Sequence, residues 1–189
     1  MLSFYVACIV GDLQRAMSLY DLCGVDIHAD GDHAFVLACQ AGHLVFAQWL
    51  FAVGDVDIHA TDDLAFRLAC ANGHLVVAQW LLGLGGVDML VWRDQAFRRA
   101  CANGHLVVAQ WLVGLGGVDI HSTWDEAFLC ACRNGHLGLA RWLVAADTTW
   151  DWPSEAMRAL QAWSRPRDTW MRAVVAWPPW EDVPQEDDA

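Results

Sequence analysis

Two residue types with ligand chemistry recur along this chain at one fixed interval. Cysteine stands at Cys8, Cys39, Cys70, Cys101 and Cys132, and histidine at His43, His74, His105 and His136. A thiol and an imidazole in every unit invite a zinc reading, since Zn²⁺ is held by sulfur and nitrogen donors. Structural zinc sites, however, gather paired ligands within about two to four residues of one another and close a tetrahedron. Here the donors are spread along the chain, one of each per unit. The thiols therefore read as small packed core residues and the imidazoles as parts of a turn. A metal-binding repeat protein is the remote alternative, and no metal or cofactor is expected.

Nucleophilic and phosphate chemistry find less support. Cys130-Ala131-Cys132 is one residue too close for a Cys-x-x-Cys redox pair. The chain has no Lys, and all eleven cationic side chains are Arg. That removes a phosphate-loop Lys, a Schiff-base Lys and a Lys general base, and it leaves no side-chain acceptor for ubiquitin. No Gly-x-Ser-x-Gly occurs, no Gly-x-Gly-x-x-Gly follows a strand, and the carboxylates sit in caps, connectors and an acidic end. The residues point away from an enzyme, and no catalytic residue is assigned.

The elements that carry these side chains follow from the interval itself. Gly-His-Leu begins at Gly42, Gly73, Gly104 and Gly135, each 31 residues after the last, and Gly11-Asp12-Leu13 lies one step earlier. Phe4, Phe35, Phe66, Phe97 and Phe128 keep the same register, as do Trp49, Trp80, Trp111 and Trp142. A fixed period of roughly 20–50 residues marks a solenoid, in which a unit buries its apolar face only against its neighbours. Within each unit Asp32, Asp63, Asp94 or Asp125 precedes Ala-Phe and is positioned to cap a first helix by accepting a backbone N–H. Gly ends that helix in the left-handed conformation. His-Leu then opens a second helix, whose Leu75, Ala78 and Leu82 share one face. Val-Asp-Ile-His crosses to the next unit as a short extended segment.

This places an N-terminal cap at 1–24, four full units at 25–55, 56–86, 87–117 and 118–148, divergent capping helices at 149–177, and an acidic, Pro-rich, disordered tail at 178–189. With 56% hydrophobic and 18% charged residues, general disorder is excluded, and no run of about 18 apolar residues is available to span a bilayer. The start lacks a basic region ahead of its apolar residues, so no secretory signal is read. A net charge of −12 argues against nucleic acid as a partner, because that binding rests on neutralising phosphates. The expectation is an intracellular, cytoplasmic monomer.

A helix, a Gly-His turn, a second helix ending near Leu-Leu, and a Gly-Val-Asp connector resemble the ankyrin repeat. Leu64-Ala65-Phe66-Arg67-Leu68-Ala69-Cys70 stands where that family has Thr-Pro-Leu-His-x-Ala-Ala, Gly73-His74 matches its Gly-His, and Val87-Asp88 its Ala-Asp. The Thr-Pro and the following His are missing. The finger is about three residues short and the Gly loop about one longer, which accounts for 31 residues in place of about 33. The resemblance implies an all-α, ankyrin-type solenoid with shortened fingers, acting as a non-enzymatic protein-interaction scaffold. The shortened unit is similar to divergent arrays of large DNA viruses, which would place it in the host-cell cytoplasm. A substrate adaptor for ubiquitin-dependent degradation is the alternative function.

Recognition in such an array falls to positions that differ between units, because the scaffold does not dictate them. Finger and first-helix positions supply Trp92, Arg93, Arg98, Arg99 and Trp124 as leading partner-binding candidates, joined by Arg67, Glu126 and Arg133. The recurring Trp column reads as a structural ladder. Val45, Val76 and Val107 stand where a solvated helix would carry charge, so the second-helix side is a candidate hydrophobic contact surface.

Overall fold

The computed structural model describes residues 2–85 and 93–146. Ten α-helices fill these residues: α1 (Leu2–Val10), α2 (Leu13–Cys23), α3 (Ala29–Gln40), α4 (Leu44–Val53), α5 (Ala60–Ala71), α6 (Leu75–Leu84), α7 (Arg93–Ala102), α8 (Leu106–Gly114), α9 (Ser122–Arg133) and α10 (Leu137–Ala146). No strand occurs among the described residues. The odd-numbered helices stack side by side in one layer, and each even-numbered helix packs against the odd one before it. Trp92, the segment 149–177 and the tail 178–189 lie outside the described residues.

The turn inside each unit is the Schellman arrangement that the Gly column implies. Gly73 N–H donates to the Cys70 carbonyl at 3.2 Å and His74 N–H to the Ala69 carbonyl at 2.9 Å, with Gly73 at φ 82°. Equivalent bonds recur at Gly42, Gly104 and Gly135. The core between layers repeats just as strictly. Phe4, Phe35, Phe66, Phe97 and Phe128 are buried, as are Leu50, Leu81, Leu112 and Leu143. Alanine on both helices of a pair, such as Ala69 and Ala78, is fully buried and lets the backbones approach closely.

Two local expectations change. The connector was expected to run extended and then start a helix capped by its Asp. Instead the chain makes a tight left-handed turn, with Asp30, Gly31 and Asp32 at φ 57°, 68° and 59°, and Thr61, Asp62 and Asp63 at φ 55°, 59° and 55°. The right-handed part of α3 begins only at His33, and that of α5 at Leu64. Asp32 accordingly does not cap its own helix. One carboxylate oxygen accepts from His28 Nδ1 at 2.7 Å, and the other accepts the Asp57 N–H of the next unit at 3.0 Å. Asp63 accepts from His59 Nδ1 at 2.6 Å, and Asp94 accepts the Asp119 N–H at 3.3 Å. The left-handed turn aims the carboxylate across the unit boundary, so the acceptor meant for a cap becomes a tie between units. Asp32 and Asp63 are buried, which makes that pairing obligatory.

Candidate interaction surface

The two columns with ligand chemistry go to separate places. Cys8, Cys39, Cys70, Cys101 and Cys132 are free and buried. Burial pushes the thiols of Cys8, Cys70, Cys101 and Cys132 up to about 12, and that of Cys39 also upward. They are held as neutral apolar groups, since only a thiolate is a nucleophile or metal ligand. No group of three or more His, Cys, Asp or Glu side chains among the described residues is arranged to hold a metal ion.

The histidines are stitches. His43 Nε2 donates to the Ile9 carbonyl at 3.0 Å, and His136 Nε2 to the Ala102 carbonyl at 3.1 Å. Each bond satisfies a carbonyl left over at the end of the previous unit's first helix. Asparagines missed in the sequence converge on the same acceptors. Asn72 Nδ2 reaches the Gln40 carbonyl at 2.9 Å, Asn103 the Ala71 carbonyl at 2.6 Å, and Asn134 the Ala102 carbonyl at 2.5 Å. Their regular position just before Gly was the signal that could have found them. The Trp column also crosses unit boundaries: Phe35 meets Trp80 at 6.1 Å between centroids, and Phe66 meets Trp111 at 6.3 Å.

What remains for recognition is the variable set, and part of it is occupied within the array. Positions 28 residues apart face each other across a boundary. Tyr5 packs edge-on against His33 with centroids 5.3 Å apart, Arg67 Nη1 donates to Gln95 Oε1 at 2.7 Å, and Arg98 Nη1 donates to Glu126. Arg67 also reaches the Thr61 carbonyl at 3.2 Å. Variation at 67 and 98 therefore has a cause inside the protein, because each boundary carries its own matched pair. Arg93 is 9% exposed, lies against Gly117, and its Nε has no hydrogen-bond partner among the described residues. Arg99 and Arg133 stand exposed in the last turns of α7 and α9, and Glu126 keeps a half-open side chain beside Arg98. Trp124 falls within α9.

The arginines are not scattered. Arg67, Arg93, Arg98, Arg99 and Arg133 all lie on first helices, while α4, α6 and α8 contain no charged residue. A stack of helix pairs joined by Gly-His turns and stitched from unit to unit defines an α-solenoid repeat protein. A family model for ankyrin repeats (many copies) matches residues 87–144, so that stretch carries ankyrin repeats, and the described helix pairs before it continue the same ankyrin-type stack. No curated protein matches the chain. Ankyrin repeats are protein-interaction modules, and no helix among the described residues is long and apolar enough to cross a membrane.

Proposed function

We propose that the chain is a non-enzymatic scaffold that binds an acidic segment of a partner protein along the first helices of its second to fourth units. The carrying observation is the placement of Arg67, Arg98, Arg99 and Arg133 on the right-handed parts of α5, α7 and α9, where they stand alongside the acidic Asp94 and Glu126. In a chain of net charge −12 this is a local reversal of sign, and arginine recognises carboxylates bidentately at little conformational cost. Trp92 and Trp124 are proposed as further partner contacts on residue type alone, since a large ring supplies contact area. The partner is expected to be a protein, with no nucleic acid or membrane.

Affinity purification with mass spectrometry tests this. The Arg99→Glu and Arg133→Glu double variant should lose the principal partner while keeping its circular dichroism, since both side chains are exposed. Recovery of the same partner at unchanged yield would remove this face from the reading.

A further inference from the structure

The opposite side of the array has a different chemistry. Helices α4, α6 and α8 read Leu-Val-Phe-Ala-Gln-Trp-Leu-Phe-Ala-Val, Leu-Val-Val-Ala-Gln-Trp-Leu-Leu-Gly-Leu and Leu-Val-Val-Ala-Gln-Trp-Leu-Val-Gly, with no ionisable side chain in any of them. Their outward rows are nearly the same in each. Val45, Val76 and Val107 are 66%, 61% and 62% exposed, and Gln48, Gln79 and Gln110 are exposed beside them. Ala52, Gly83 and Gly114 continue each row with small residues and are also exposed. The uncharged zone is bounded, since α2 before it carries Arg15 and Asp21 and α10 after it carries Arg141.

We propose that this face docks on the same face of a second copy of the chain, in an antiparallel pair with α6 against α6 and α4 against α8. Three features select that occupant. Two chains of net charge −12 repel each other, so they meet most cheaply where each is free of charge. A row that repeats almost unchanged through three units discriminates poorly among foreign proteins. A two-fold axis through the centre of such a row places it on its own equivalent, the self-complementary requirement of a closed dimer. The Gln row suits this chemically, because each amide both donates and accepts and can pair with the amide of a second Gln. A bilayer surface is a poorer fit, as interfacial helices carry Lys or Arg along their own polar side and α4, α6 and α8 contain none. The proposal replaces the sequence-based expectation of a monomer. It uses the face away from the arginines, so the scaffold would present two recognition faces pointing outward.

Size sets the expected strength. Helices of nine or ten residues are roughly 15 Å long and pack about 9 Å apart, so three of them offer a footprint of about 400 Å² per chain, below the size of stable interfaces and in the range of weak, transient ones. Association is accordingly expected in the range of about 1–100 µM.

Sedimentation equilibrium of the full chain is the test. The mass should rise with concentration from one chain to two, and added salt should strengthen the pairing by screening net repulsion. Val76→Glu should weaken it at least ~tenfold, with the helical dichroism and melting temperature unchanged because the position is exposed. Gln79→Glu and Gln79→Arg should each weaken self-association and, when mixed in equal amounts, restore a two-chain mass. A one-chain mass at every concentration would overturn the proposal, leaving the face to a different protein or a bilayer. So would a dimer indifferent to Val76→Glu, or a mass growing beyond two chains.

Discussion

Gly73 is held to glycine by two separate causes. Its φ of 82° lies in the left-handed region, and a Cβ there would come within 2.4 Å of His105 Nδ1, on the ring that the next unit lays over the turn. The backbone part costs about 1–2 kcal/mol for any other residue, and the overlap adds to it by displacing a ring that ties two units. Gly73→Ala should therefore cost roughly 2–4 kcal/mol in urea denaturation, and the loss should fall short of additive when combined with His105→Ala, since the clash is then already gone. His105 also sets a pH dependence. Burial first, then the neighbouring His74 and His136, lower its affinity for a proton below the usual value of 6.5, against the bond to the Ala71 carbonyl, which raises it. The folded state thus prefers the neutral ring. Its contribution is complete above about pH 6.5 and is lost as the pH falls below that value toward the depressed folded one. The denaturation midpoint should drop across that window in the parent chain, and the drop should shrink in His105→Ala.

At the level of elements, the helix pair and its turn were readable from residues because their causes are local. An apolar stripe at helical spacing and a Gly that takes φ near 80° act within one unit. The connector was not readable, because its form is decided between units. Asp32 and Asp63 have the residue type and position of an N-cap, yet their carboxylates serve the backbone ahead and the histidines behind. The variable positions have a second cause for the same reason: Arg98 varies with Glu126, its neighbour across the boundary, as well as with any partner. The left-handed turn in α5 carries a measurable cost. Thr61 is β-branched at φ 55°, and Asp62 and Asp63 follow it in the same region. Each such residue costs about 1–2 kcal/mol relative to glycine in that conformation. Glycine gives part of this back through its freer unfolded chain. Thr61→Gly should still stabilise the protein by roughly 0.5–1 kcal/mol, seen as a raised melting temperature. The Arg67 bond to the residue-61 carbonyl is a main-chain contact that the substitution retains.

For the whole molecule, the consequence of stacking is that position along the array sets the effect of a core substitution. Phe4 and Phe97 are both buried, on α1 and α7 respectively. Helix α1 packs along the stack against α3 alone, while α7 packs against both α5 and α9. Phe97→Ala opens a cavity beneath two boundaries at once, and losing a buried Phe costs about 3–5 kcal/mol. In an array whose stability is a sum of unit and boundary contributions, weakening the middle uncouples the two ends. Phe97→Ala should therefore separate urea unfolding into two steps, read as a mismatch between the dichroism and tryptophan-fluorescence curves. Both signals arise on each side of the break, since Trp49 and Trp80 precede α7 while Trp111 and Trp142 follow it. Phe4→Ala removes the same ring from a terminal helix, where fraying of α1 and α2 absorbs the loss. Its curves should remain coincident, with a smaller shift in midpoint. Coincident curves for Phe97→Ala would instead mean that the boundaries are strong enough to hold the five helix pairs as one cooperative unit even across a cavity.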